Sequence, residues 1–201
     1  SLYVGIPFCP SICLYCSFGS HPLERWTKRV EEYLDTLCKE LTFIREQMGA
    51  RKLTTVYIGG GTPTTLEPEQ LRRLLSHIQE TFDFTWVKEY TVEAGRPDSI
   101  TREKLQVMKE FPVTRISVNP QTMNQKTLDV IGRKHTVEDT VNIFHMAREL
   151  EFDNINMDLI IGLPGEGKEE VAHTLQEVEK LHPDSLTIHS LALKRATRLN
   201  L

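Results

Sequence analysis

Six short runs rich in β-branched residues alternate with segments of helical periodicity, and this alternation restricts the fold more than any other feature of the chain. The runs are Leu2–Pro7, Thr54–Ile58, Glu89–Ala94, Thr114–Asn119, Asn154–Ile161 and Ser185–Ser190. Between them, Leu34, Leu37, Leu41 and Ile44 fall at helical spacing, as do Leu71, Leu74, Leu75, Ile78 and Phe82. Further helices are expected from Thr101, over Gln125–Ile131 and Val137–Leu150, and from about Glu169. Strands that alternate with helices are parallel and joined by crossovers. Either a doubly wound sheet or a partial (β/α) barrel satisfies that rhythm.

Strand parity adds a direction. Residues of like parity share a face of a strand. Thr91 with Glu93, Ser117 with Asn119 and Gln121, Asn156 with Asp158, and Thr187 with His189 each form such a pair or row. All lie toward the C-terminal ends of their strands, which is the ligand-binding end of α/β folds. Polar groups converging from four strands predict a polar ligand between them.

Composition narrows the function. Twenty-four Lys and Arg against 28 Asp and Glu leave a net charge of −4, and no basic patch stands out, so nucleic acid is not an expected partner. No apolar stretch approaches the roughly 18 residues of a membrane span, and no segment reads as a signal peptide. A cytoplasmic location is expected. The first run starts at residue 2 and the sixth lies near the end, so residues 1–201 are expected to be one core domain of a longer protein.

Three of the four cysteines, Cys9, Cys13 and Cys16, follow the first strand with the spacing C-x3-C-x2-C, while Cys38 stands alone. Clustered cysteines in a mid-sized chain point to metal or redox chemistry rather than a disulfide framework. Three thiolates can hold three irons of a [4Fe–4S] cluster and leave the fourth iron open to a small molecule. Zinc stays open as an alternative, with His21 the nearest fourth ligand.

The run from Tyr3 through Cys9, Cys13 and Cys16 resembles the cluster motif of radical S-adenosylmethionine (SAM) enzymes. The oxygen-independent coproporphyrinogen III oxidase group is the nearest in pattern, and within it the HemZ-type coproporphyrinogen dehydrogenase branch. Four further segments resemble the same group, in order: Gly59-Gly60-Gly61-Thr62-Pro63, Thr91-Val-Glu93-Ala, the pair Gln121 and Arg133, and Asn156-Met-Asp158 through Pro164. The resemblance implies a partial (β/α)6, TIM-like barrel with the cluster loop after its first strand. It implies a [4Fe–4S] cluster on Cys9, Cys13 and Cys16. It also implies that SAM chelates the open iron and is cleaved by one electron to methionine and a 5′-deoxyadenosyl radical.

For SAM, the resemblance implies contacts from Tyr3, Tyr15, Gly60, Gly61, Thr62, Glu93, Gln121, Arg133 and Asp158. The glycine N–H groups with Thr62 would meet the methionine end. Glu93 and Asp158 would meet ribose hydroxyls or the ammonium, Gln121 the ribose, Arg133 the carboxylate, and the Tyr15 backbone the adenine edge. Tyr3 would sit near the cluster or SAM. The implied small-molecule substrate is a porphyrinogen, decarboxylated oxidatively in heme biosynthesis, and the implied partner is a reductant such as flavodoxin or ferredoxin.

The pattern also departs from the well-studied oxidases of that group. Gly5 stands where they carry a histidine, and Phe18 where they carry a further cysteine. A related branch delivers heme instead of making it, so a heme-trafficking role is the alternative. A tetracarboxylate substrate calls for cations, and Arg96, Lys194, Arg195 and Arg198 are the candidates. His189 has a site-facing address at the end of the sixth run. Gly162 through Lys168 nearly fits a phosphate-binding loop, but Glu169 replaces its hydroxyl residue and Glu166 would repel phosphate.

Overall fold

The computed structural model describes residues 1–192 and 197–199 of the chain. Strand β1 (Leu2–Ile6) is followed by two two-residue strands, β2 (Phe8–Cys9) and β3 (His21–Pro22), which pair with each other and pinch the cysteine loop at its base. Helix α1 (Leu23–Trp26) and a 3-10 turn lead into α2 (Val30–Met48). The alternation then runs β4 (Thr55–Gly60), α3 (Pro68–Thr81), β5 (Glu89–Gly95), α4 (Arg102–Lys109), β6 (Arg115–Gln121), α5 (Gln125–Val130), α6 (Val137–Glu149), β7 (Ile155–Ile161), α7 (Lys168–Leu181) and β8 (Ser185–Ser190).

Six strands form one parallel sheet in the order β1-β4-β5-β6-β7-β8. That order decides between the two folds the alternation allowed. A doubly wound sheet reverses its strand order at a switch point. Here the order follows the chain throughout, so right-handed crossovers place every helix on the same face. The result is the helix-backed, open (β/α)6 barrel.

The helices form where the spacing predicted. Val30, Leu34, Leu37 and Leu41 make the buried stripe of α2, and Leu71, Leu74, Leu75 and Ile78 that of α3. Side chains cap four N-termini: Gln70 accepts from Glu67 N–H at α3, Thr101 caps α4, Thr136 with Asp139 caps α6, and Glu170 accepts from Gly167 N–H at α7. The strands bury one parity against these helices: Leu2, Val4 and Ile6, then Val56 and Ile58, Tyr90, Val92 and Ala94, Ile116 and Val118, and Ile155, Met157 and Leu159. The other parity, which carries the polar residues, faces the inside of the barrel.

The sheet loses regular register near the C-terminal ends of β5 and β6, between Val92 and Gly95 and between Val118 and Gln121. Pro120 has no N–H to give to a ladder. Beyond it Gln121 takes a left-handed φ of 71°, unusual outside glycine. The irregularity turns the Gln121 side chain away from ladder geometry at the barrel mouth.

Candidate cofactor site

A continuous row of hydrogen bonds crosses the inner face of four strands. Ser185 Oγ and Thr187 Oγ1 on β8 donate to Asn156 Oδ1 on β7, at 3.0 and 3.1 Å. Asn156 Nδ2 donates to Ser117 Oγ on β6 (3.2 Å) and to Asp158 Oδ1 (2.6 Å). Ser117 Oγ donates to Asn119 Oδ1 at 2.6 Å, and Asn119 Nδ2 to Glu93 Oε1 on β5 at 3.0 Å. All but Ser185 are residues that strand parity grouped, and each buried member has a partner, as buried polar groups require.

The cysteine loop is anchored from three sides. Leu14 N–H donates to the Ile131 carbonyl at 3.0 Å, and Cys16 N–H to the Cys13 carbonyl at 3.1 Å. Thr62 Oγ1 donates to Cys9 Sγ at 3.6 Å. Arg96 Nη1 donates to the Ser11 carbonyl and Ser11 Oγ, both at 2.8 Å, and to Cys13 Sγ at 3.7 Å. Two 3-10 turns, Pro63–Thr65 and Pro97–Ser99, follow Thr62 and Arg96. Buried Lys104 ties them together, donating to the Thr64 carbonyl at 2.7 Å and the Ser99 carbonyl at 3.2 Å.

All four cysteines are free thiols. Burial pushes the Cys9 pKa up, and the Cys13 and Cys16 thiols nearby push the same way against the Thr62 hydroxyl and Arg96. Among the described residues, no three of His, Cys, Asp and Glu close around a single metal ion. Thiolates on a cubane bind three different irons and stand farther apart than the ligands of one ion.

The three thiols open into a cavity of about 450 Å³, within the usual range for small-molecule sites. Its lining includes Cys9, Cys13, Cys16, Tyr15, Gly60, Gly61, Thr62, Glu93, Gln121, Arg133 and Asp158, and also His189. Of the residues expected to hold the cluster or SAM, all therefore line one cavity except Tyr3. Tyr3 projects from the edge strand β1, 63% exposed, and stacks on Tyr57 with ring centroids 6.0 Å apart.

Several expected roles need correction. The glycine-rich segment does not offer its N–H groups to a ligand. Gly61 and Thr62 N–H donate to the Ile6 and Phe8 carbonyls at 2.6 and 2.8 Å, and Gly60 N–H to the Glu93 carboxylate. The glycine itself is needed for close approach: a Cβ on Gly61 would lie 2.6 Å from the Phe8 carbonyl oxygen and 3.0 Å from Cys9 Sγ. Tyr15 presents its ring, the hydroxyl 3.2 Å from Arg133 Nη2.

Arg96 is not a free clamp, because Asp98 and the cysteine loop hold it 3% exposed. Lys194 and Arg195 lie outside the described residues. Arg198 shows its backbone N–H on the Leu14 carbonyl at 2.8 Å. His21 is on the outer side of the loop against Trp26, away from the thiols. Gly167 N–H, in the loop resembling a phosphate site, is taken by Glu170 at 2.7 Å, and Glu166 accepts from Thr122 and Asn124.

The electrostatics of the cavity are unbalanced. Burial, then the nearby Asp158 carboxylate, pushes Glu93 up to about 7, against the Asn119 and Gly60 donors. Burial likewise raises Asp158, opposed by Asn156 and His189. Burial pushes Tyr15 up to about 12. Arg133, 6% exposed, donates Nη1 to the Asn119 carbonyl at 2.8 Å, yet its Nε is buried with no partner. Gln121 Oε1 is the matching acceptor without a partner. An orphaned donor and an orphaned acceptor on one cavity wall call for a ligand that carries both.

Sequence reading did not single out Ser11 or Asn119 as site residues, nor His135. Asn119 had the right parity beside Gln121. His135 is buried with neither ring nitrogen partnered, and burial, then Arg133, pulls its pKa down to about 4. No periodic pattern marks it.

Comparison with known proteins agrees with the geometry. The family model described as "Radical SAM superfamily" matches residues 3–178. The chain is 48% identical over 202 residues to the oxygen-independent coproporphyrinogen-III oxidase-like protein HemZ of Bacillus subtilis, covering 99% of this chain and 40% of that protein. It is 37% identical to the heme chaperone HemW of the same organism, covering 98% of this chain and 52% of the relative. Among solved structures, the coproporphyrinogen III oxidase HemN from Escherichia coli superposes with a TM-score of 0.87 at 32% identity, over 96% of this chain and 44% of that one. The chain thus spans about half the length, or less, of these relatives. No helix among the described residues is long and apolar enough to cross a membrane.

Proposed function

The chain belongs to the radical SAM superfamily, whose cofactors are a [4Fe–4S] cluster and SAM, and on that premise we propose that it carries out oxidative decarboxylation of coproporphyrinogen III to protoporphyrinogen IX. The observation that carries the reading is the meeting, in one cavity, of three free thiols with the unpartnered Gln121 Oε1 and Arg133 Nε. A reduced [4Fe–4S] cluster with SAM would supply the one-electron chemistry that takes a hydrogen atom from a substrate propionate, whose carboxylate would then leave as carbon dioxide while one further electron passes to an external one-electron acceptor.

The chain's own residues divide the binding work. Cys9, Cys13 and Cys16 would hold three irons. Gly60 and Gly61 line the cavity where the methionine end of SAM would lie, and Arg133 would give its free Nε–H to the carboxylate. Gln121 Oε1, Glu93 and Asp158 are acceptors for ribose hydroxyls. The two carboxylates also favour a cationic ligand, because a positive charge relieves their mutual repulsion. Tyr15, packed with Leu128, Ile131 and Leu163, supplies an apolar wall toward the adenine and helps exclude water. His189, exposed at the mouth beside Asp158, is placed for the substrate side.

A second reading, heme handling, is favoured by two positions. Gly5 leaves the inner face of β1 without a side chain, and Phe18, 80% exposed, puts an apolar ring beside the cluster loop. One experiment separates the two. Anaerobic reconstitution, dithionite reduction and addition of SAM are followed by assay of 5′-deoxyadenosine with and without coproporphyrinogen III. SAM cleavage coupled to decarboxylated product is expected. Stoichiometric heme transfer without decarboxylated product would replace the decarboxylase reading with the second one, and no SAM cleavage would defeat the decarboxylase reading.

A further inference from the structure

We propose that Arg96, held by Asp98, is a positioning residue for the cysteine loop and the cation that raises the reduction potential of a cluster bound there. The inference rests on the cluster reading above and assigns to Arg96 a role that reading does not contain.

The guanidinium uses all three nitrogens. Nε and Nη2 make a two-point pair with Asp98, at 2.9 and 2.7 Å, and Nη1 reaches the Ser11 carbonyl, Ser11 Oγ and Cys13 Sγ. The Arg96 side chain is 4% exposed and that of Asp98 20%. Such a fork fixes orientation as well as distance, and a lysine cannot reproduce it. Arg96 therefore couples the end of β5 to the middle of the C-x3-C segment, which has no regular structure of its own.

The three thiols consequently differ. Cys13 receives a charged donor and Cys9 the neutral Thr62 hydroxyl at 3.6 Å, while Cys16 Sγ shares only a 4.0 Å contact with the Ser20 hydroxyl, in which either group can donate. Reduction adds one negative charge to a thiolate-held cluster. A nearby cation and an N–H aimed at sulfur stabilise the reduced form more than the oxidised one. Asp98 opposes that effect while keeping Arg96 in place.

This gives a signature that loosening of the loop cannot imitate. Removing the cation lowers the potential, and removing its counter-ion raises it, whereas loosening moves both the same way. The test is a dye-mediated redox titration, read by electron paramagnetic resonance, of the reconstituted chain and its variants. The midpoint of Arg96→Gln is expected below wild type, that of Asp98→Asn above it, and that of Arg96→Lys between Arg96→Gln and wild type. In the cluster-free chain, both Arg96→Gln and Asp98→Asn are expected to melt at a lower temperature, since each leaves a buried partner unpaired. If Arg96→Gln takes up no cluster, the Asp98→Asn rise and the Arg96→Lys fall decide. Potentials that all shift in one direction, or none that shift, overturn this inference alone. A wild-type chain that takes up no [4Fe–4S] cluster overturns it together with the proposed function.

Discussion

Replacing Glu93 by Gln is expected to stabilise the ligand-free protein, and to do so only as the pH rises. Glu93 is an acid whose folded-state pKa, about 7, lies above its ordinary 4.5. Between those values the folded chain keeps a proton that the unfolded chain has released. Stability therefore falls as pH rises through this window, by about 3 kcal/mol once the group is fully ionised. Gln has the same shape and no charge. Its oxygen can still accept from Asn119 Nδ2, and its amide can donate toward Asp158. Urea unfolding of both proteins across a pH series is the assay. The two curves should nearly coincide at about pH 4.5 and separate by about 3 kcal/mol at about pH 8. The same variant should bind SAM more weakly, because ribose hydroxyls and the ammonium lose a carboxylate acceptor. A stability difference independent of pH would refute the account, since it would mean that Glu93 is not held protonated by burial and Asp158.

Three further outcomes follow from the site. Cys13→Ala should bring reconstituted iron and SAM cleavage to background while the chain stays folded, measured by iron analysis and circular dichroism. Gly61→Ala forces a Cβ to within 2.6 Å of the Phe8 carbonyl oxygen and should cost about 1–3 kcal/mol in thermal unfolding, with poor cluster uptake. Gln121→Ala removes one neutral acceptor and should raise the SAM dissociation constant by about three- to tenfold, measured by equilibrium dialysis of the reconstituted chain.

Much of this was legible in the sequence because it depends on local repetition. Period-two alternation put Glu93, Asn119 and Asp158 on one face, and period-3.6 spacing gave the stripes of α2 and α3. The strand order, which chooses the open barrel, is not local. Neither is the use of the Gly61 and Thr62 N–H groups, which depends on the β1 end folding back against them; three glycines in a row look equally suited to donate or to accept. Arg96 was legible as a cation near the site and misjudged as a free one. Its partners at Ser11 and Cys13 are 85 and 83 residues away, and nothing periodic connects them. The short β2–β3 pair is likewise too brief to leave a pattern.

The row of hydrogen bonds across the barrel also has a sense of direction. From Ser185 and Thr187 through Asn156, Ser117 and Asn119, each group donates to the next, and the last donates to Glu93. Aligned donors polarise one another. The row thus behaves as a string of dipoles whose positive end rests on one carboxylate, and hydroxyls on the last strand help decide how much negative charge Glu93 can bear. Protonation of Glu93, or arrival of a cation beside it, changes the demand at one end and is felt along the string. The open side of the barrel, although remote from the thiols in sequence, is electrically part of the same site.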